Sequence, residues 1–121
     1  MRPFIANGEL WRVVRVAPGD PRLIDRTGAP KLATTDPLTR TIHISSQLTP
    51  PILDKVLLHE VSHAITISNG LLPSLGRMVS EGDRIGAEEW AAQLMENHAI
   101  EAAALASESL GRPICVRGYC D

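Results

Sequence analysis

The run His59-Glu60-Val61-Ser62-His63 constrains this chain more than any other feature of its sequence. On a helix, residues four positions apart lie on one face, so His59 and His63 can reach the same metal ion. The spacing also brings Glu60 close to that ion, where its carboxylate can take a proton from a metal-bound water. Because tetrahedral catalytic zinc takes three protein ligands and a water, we expect one further ligand downstream.

The residues around this run predict a helix over about 50–69. Thr49 offers a hydroxyl cap, Pro50-Pro51 suits the first turn, and Asn69-Gly70 is a typical helix stop. Apolar residues recur at spacings of three and four, and the immediate flanks of the two histidines carry no charge. We therefore expect a buried helix whose metal site lies in a mostly apolar shell.

Several downstream or upstream residues are candidates for the third ligand. They share an acidic or imidazole side chain and are Glu81, Asp83, Glu88, Glu89, Glu96, His98 and His43. A long alanine-rich helix is predicted from Ala87 onward, and acidic residues in its first turn are already favoured by the helix dipole. Helical phase places Glu88 beside the apolar stripe of that helix and turns Glu89 away from it. The phase of the helix thus favours Glu88.

Several runs resemble one enzyme family: Gly8–Trp11, Asp25–Gly28, Thr39–Ile44, Lys55–Glu60 and Glu88–Trp90. Through them, residues 9–98 resemble the small phage- and prophage-associated relatives of the ImmA/IrrE metallopeptidases. Such enzymes are similar to thermolysin-like gluzincins, whose third ligand is a Glu in an ExxA(D/N) pattern on a later helix. The run from Glu89 to Gln93 fits that pattern, with Gln93 in place of Asp or Asn. The resemblance therefore implies Glu89, and the choice between Glu88 and Glu89 stays open.

The sequence predicts short strands in the N-terminal half of the chain and helices in the C-terminal half. The candidate strands are Glu9–Val16, Arg22–Asp25, Lys31–Thr35 and Arg40–Ser45, the last two joined by a hairpin turn. The candidate helices cover about 50–69 and 87–109, with a short one near 73–80. We expect a single domain over 1–121, an α+β minimal zincin whose small antiparallel sheet packs on the HExxH helix and on a second long helix.

The strand over 41–45 is expected to contribute to substrate binding. Its alternation points Ile42 and Ile44 inward and His43 outward. In zincins such a strand lies over the cleft, and an extended peptide adds to it as a further strand. We therefore assign Ile42, His43 and Ile44 to substrate binding. His43 either assists by polarising the scissile carbonyl or is an ordinary surface histidine.

Composition agrees with a minimal enzyme and argues against two classes of partner. The 121 residues are 44% hydrophobic but include no apolar run of membrane-spanning length, so we expect no membrane association and a cytoplasmic location. A net charge of −2, with no basic stripe, argues against a nucleic-acid partner. Cys115 and Cys120 are too few for a structural zinc site and are expected to be ordinary thiols, with a redox-sensitive or chelating tail as the alternative.

These features predict a zinc-dependent metallopeptidase that acts on a protein or peptide. Zn²⁺ held by His59, His63 and Glu89 activates a water, and Glu60 takes its proton and then protonates the leaving amine. The resemblance implies a phage or host regulator as substrate, often a DNA-binding repressor cleaved at one site. The alternative is a catalytically silent zinc-binding module that acts through a regulatory protein partner in phage regulation or assembly, and Glu60 argues against it.

Overall fold

The computed structural model describes residues 1–25, 28–70 and 98–114, which form an α+β fold with a four-stranded mixed sheet and two helices. The strands are β1 (Phe4–Ala6), β2 (Glu9–Val16), β3 (Ala33–Asp36) and β4 (Thr41–Ser45). Helix α1 covers Ile52–Ser68, and helix α2 covers residues 98–110. The predicted helix near 73–80, the first part of the predicted 87–109 helix, Cys115 and Cys120 lie outside the described residues.

The sheet is mixed, which corrects the prediction of an antiparallel one. Its order is β1-β2-β4-β3, and β2 pairs with β4 in parallel while the other two pairs are antiparallel. Two parallel neighbours need a crossover connection. The chain between β2 and β4, which includes β3, provides it, and the strand predicted at Arg22–Asp25 falls inside this connection. There Asp20 caps a 3₁₀ turn over Pro21–Leu23, and a proline at the first position favours the turn.

The first hairpin was not predicted from the sequence. Asn7 and Gly8 join β1 to β2 with positive φ angles of 47° and 78°. Both central residues of a type I′ turn need positive φ, and Asn-Gly is the strongest short signal for such a turn. The asparagine side chain also donates a 2.9 Å hydrogen bond to the carbonyl oxygen of Ser68. The hairpin is thereby fastened to the end of α1.

One face of the sheet packs against α1 and shares a hydrophobic core with α2. Ile42 and Ile44, both fully buried, point from β4 into this core, as predicted. The other large buried apolar members include Phe4, Trp11, Leu53, Leu57, Val61 and Ile65. The Trp11 indole N–H donates a 2.8 Å hydrogen bond to the Ser68 hydroxyl, so its polar atom is satisfied inside the core.

The bounds of α1 agree with the predicted 50–69, but its cap does not. The residue before the first turn is Pro51, which provides no side-chain cap, so the prediction of a Thr49 hydroxyl cap is wrong. The predicted stop is confirmed: the Asn69 amide donates to the carbonyl oxygen of Ile65 at 2.8 Å, and Gly70 has a φ of 66°. The run from His59 to His63 therefore lies near the middle of a helix with a fixed end.

An ion pair joins the start of α1 to the segment that follows α2. The side chain of Asp54 is completely buried, and both of its oxygens accept hydrogen bonds from the Arg112 guanidinium, at 2.7 and 2.8 Å. This bidentate pair raises the pKa of Arg112 and compensates a carboxylate that would otherwise be costly to bury. No helix among the described residues is long and apolar enough to cross a bilayer.

Candidate metal centre

Helix α1 brings His59 and His63 together on its exposed side. Their Nε2 atoms are 3.1 Å apart, and their rings meet edge to face with centroids separated by 4.7 Å. Two nitrogens bound to one tetrahedral zinc at the usual Zn–N length are about 3.3 Å apart. The observed separation is that of a hydrogen bond between the two rings, and it is also close to the value for one shared zinc, to which imidazole nitrogens are suited.

Glu60 occupies a different environment from the histidines beside it. Its residue is 7% exposed, whereas His59 and His63 are exposed. The hydroxyl Oγ1 of Thr35, on β3, donates a hydrogen bond to the Glu60 carboxylate oxygen Oε2. The Glu60 carboxylate thus lies at the boundary between the core and the exposed side of the helix. There it accepts a hydrogen bond from the sheet.

The predicted third ligand cannot be placed on this structure. Glu88 and Glu89 lie outside the described residues, as do the other downstream carboxylates considered, Glu81, Asp83 and Glu96. His98 is described, at the start of α2, and its Nδ1 atom is 3.2 Å from a Glu101 carboxylate oxygen. Among the residues that are described, no three His, Cys, Asp or Glu side chains come together as a metal site.

A broad open cleft of about 830 Å³ runs along the exposed side of α1. His59, Glu60 and His63 form one wall, and residues of β3 together with the segment that follows β2 form the other. Since the two histidines are exposed, the described residues do not enclose the site, although most of the other residues of α1 are buried or half-buried, as predicted.

β3, not β4, is the edge strand beside this cleft. β4 is paired with β2 on one side and with β3 on the other, so its main chain has no free edge for a peptide. Ile42 and Ile44 are fully buried in the core, which also removes their side chains from the cleft. This corrects the expectation that β4 receives the substrate as an added strand. In the described part of the chain, β3 is paired on one side and is the candidate for that role.

His43 lies on the opposite face of the sheet from α1. It alternates with Ile42 and Ile44 along β4, so its ring points toward the face that carries the 3₁₀ segment. Partial burial lowers the pKa of His43, and the nearby Arg22 guanidinium lowers it further, against weaker opposing effects of Asp36 and Asp20. The histidine borders the rim of the cleft but faces away from the wall that holds His59 and His63.

The rim of the cleft carries charged side chains in pairs. Arg22 donates hydrogen bonds to Asp20 at 2.9 Å and lowers the pKa of that carboxyl to about 2. The Lys31 ammonium is 3.5 Å from an Asp25 carboxylate oxygen. Backbone N–H donation from Leu38 is the largest effect that lowers the pKa of Asp36. The two cations on this rim therefore both have acidic partners close by.

Thr35 is the site residue that sequence reasoning missed. It pairs with Ile42 across β3 and β4, so its side chain lies on the same sheet face as Ile42, which is the face toward α1. A signal for this was present in the predicted hairpin, because fixing its register also fixes which β3 residues face the helix. That register needs the turn geometry, and the sequence alone did not establish it.

No protein-family model, curated protein or solved structure matches this chain. The likeness to ImmA/IrrE metallopeptidases therefore stays a prediction that rests on the motifs of the sequence.

Proposed function

We propose that this chain is a zinc-dependent metallopeptidase that cleaves a peptide bond in an extended segment of a protein substrate. One observation carries the proposal: the Nε2 atoms of His59 and His63 converge to 3.1 Å, and both rings line one cleft together with Glu60. A purely structural zinc site needs no unligated carboxylate next to two histidine ligands. Such a carboxylate is what hydrolysis needs as a base.

His59 and His63 would hold the zinc, with Glu89, or alternatively Glu88, as the third ligand. When bound, zinc would polarise a carbonyl group and lower the pKa of a water molecule toward neutrality. Neutral imidazoles are required for this role, so both rings must offer their Nε2 lone pairs and carry their protons on Nδ1. The exposed position of the two rings allows solvent and substrate to reach them.

Glu60 would perform the proton transfers of the reaction. Its carboxylate takes one proton from the attacking water as the new bond forms between the water oxygen and the carbonyl carbon. It then gives that proton to the amine nitrogen as the carbon–nitrogen bond breaks. Thr35 donates to Oε2, and no described residue donates to Oε1, which therefore has lone pairs to accept the proton.

The free edge of β3 supports an extended peptide as the substrate. Main-chain hydrogen bonds to Ala33–Asp36 would align the peptide along the cleft wall that faces His59, Glu60 and His63. The resemblance to ImmA/IrrE enzymes further suggests a phage or host regulator as the cleaved protein. The location proposed for this activity remains the cytoplasm, with no nucleic-acid or membrane partner.

The test measures metal content and peptide hydrolysis in matched variants. Purified protein should contain about one zinc per chain, and His59→Ala or His63→Ala should lose it. Glu60→Gln keeps the size of the side chain and should keep zinc, while cleavage of a quenched-fluorescence peptide library falls about 100-fold or more. Lys55→Gln, an exposed change on the same helix, serves as the control and should alter neither quantity.

Three results would count against the proposal in different ways. Full zinc occupancy in the His59→Ala/His63→Ala double variant would show that the metal is held elsewhere. Zinc bound by the histidines without any cleavage of the library would favour the alternative, a zinc-binding module that acts through a protein partner. Cleavage unchanged in Glu60→Gln would show that Glu60 is not the base.

A further inference from the structure

A buried carboxylate beside two exposed imidazoles needs an explanation. Glu60 immediately follows His59, and its position around α1 lies between the histidines and the core-facing residues. Carboxylates are strong ligands for zinc, and one so close to two histidines is a natural competitor for a place on the same ion. A base, in contrast, must stay off the metal to accept a proton.

The hydroxyl of Thr35 is the described group that holds this carboxylate. Its Oγ1 atom donates to Oε2 of Glu60 across the contact between β3 and α1. Ala33 and Thr35 are the β3 residues on the face toward the helix, and Ala33 has no polar side chain. Within β3 the hydroxyl at position 35 is therefore the side-chain donor suitably placed to reach Glu60.

The arrangement of the described side chains agrees with a Glu60 carboxylate that lies apart from the two imidazoles. With Glu60 on Thr35, the described residues contain no set of three potential metal ligands, although His59 and His63 are themselves close together. Glu60 therefore does not complete a ligand set with the two histidines beside it. A hydrogen bond to a charged acceptor is strong enough to favour one side-chain orientation over another.

We propose that Thr35 is a positioning residue whose hydroxyl holds Glu60 at the edge of β3 and so keeps it as a base rather than a metal ligand. The assignment rests on the proposed metallopeptidase function. It adds to that function a division of labour between the strand and the helix: His59 and His63 bind the ion, and Thr35 fixes the group that moves the proton.

The test removes or keeps the hydroxyl at nearly constant shape. Thr35→Val replaces the hydroxyl by a methyl group, and Thr35→Ser keeps the hydroxyl. Thr34→Val is the matched control, because Thr34 is next in the strand but points to the other face, where its hydroxyl donates to the carbonyl oxygen of Arg22 at 2.6 Å. If Thr35→Val fails to fold, as judged by its melting curve, Thr35→Ala carries the same test.

The first readout is independent of activity and uses Co²⁺ alone as the probe. In Thr35→Val the released carboxylate should join the histidines on the ion, which changes the visible absorption spectrum and tightens Co²⁺ binding about tenfold or more. Thr35→Ser and Thr34→Val should keep the spectrum and affinity of the wild-type protein. A role of Thr35 in the fold alone would not produce a new coordination spectrum.

The second readout is hydrolysis of the peptide library. Thr35→Val should lower kcat about 10- to 100-fold, the range expected for the loss of a hydrogen bond to a charged group, with KM changed by less than about threefold. Thr35→Ser should restore kcat. This separation of kcat from KM, together with rescue by serine, distinguishes positioning of the base from loss of substrate binding.

The outcomes separate this assignment from the function on which it rests. A wild-type protein that binds no Co²⁺ would overturn the metallopeptidase proposal and the role of Thr35 with it. Wild-type binding with an unchanged spectrum in Thr35→Val, or a serine variant as impaired as the valine variant, would overturn the assignment of Thr35 and leave the metallopeptidase proposal standing.

Discussion

Helix α1 has two sides that do different work. On its inner side Leu57, Val61 and Ala64 are fully buried against the sheet. On its outer side His59 and His63 are exposed and converge on one another. The inner side stabilises the fold because it removes apolar area from water. The outer side is exposed, so polar residues there cost no buried apolar area. Its residues are therefore free to serve a chemical role. Glu60 lies at the boundary and is held by the sheet.

The largest stability effect is expected on the inner side. Leu57→Ala removes a fully buried side chain and should lower the free energy of unfolding by about 2–5 kcal/mol. Ser62→Ala, on the outer side of the same helix, is the control and should change it by less than about 0.5 kcal/mol. Urea unfolding of the metal-free protein measures both. Comparable losses in the two variants would mean that α1 does not have separate stability and surface sides.

The local parts of this structure could be predicted from the sequence. The HExxH spacing, the bounds of α1, strand β2, strand β4 and the inward direction of Ile42 and Ile44 follow from periodicities of two and 3.6 residues within short segments. The Asn69-Gly70 stop follows from backbone preferences at those residues alone. Each of these features depends on neighbours a few positions away.

The parts that were not predicted depend on contacts between distant segments. The parallel pairing of β2 with β4 requires a crossover that periodicity does not reveal, and it turned an expected edge strand into a central one. The bond from Thr35 to Glu60 requires both the hairpin register and the packing of α1. The hairpin at Asn7-Gly8 is different, because its signal is local.

The next largest effect is expected at the third zinc ligand, which α1 does not supply. If Glu89 completes the site, Glu89→Ala should weaken zinc binding about 100-fold or more, because a direct ligand is lost. Glu88→Ala should cost at most the helix-dipole contribution of about 0.3–1 kcal/mol. Competition with a chromogenic chelator measures both affinities. The reverse order would show that helical phase was the better guide, and small effects in both would direct attention to Glu96 or His98.

A smaller loss of stability is expected where the end of α1 meets β2. Ser68→Ala leaves the indole N–H of fully buried Trp11 without its 2.8 Å acceptor, which should cost about 1–3 kcal/mol. Ser62→Ala is again the matched control on the exposed side. A double-mutant cycle with Trp11→Phe isolates the hydrogen bond, since the phenylalanine has no N–H to satisfy. A coupling energy near zero would show that this bond does not stabilise the contact.

The smallest effect is expected at His43, which tests whether this histidine belongs to the outer side of α1 or to the far face of the sheet. Burial and the Arg22 guanidinium lower its pKa below 6.5 in the folded state. The unfolded chain then binds a proton more readily, so the contribution of His43 to stability is complete above about pH 6.5 and is lost as the pH falls through the folded pKa.

His43→Gln should remove this part of the pH dependence while zinc binding stays within about twofold of wild type. The comparison uses metal-free protein, and both variants keep His59 and His63. An NMR titration that places the His43 pKa at or above 6.5, or a marked loss of zinc affinity in His43→Gln, would return His43 to the metal site.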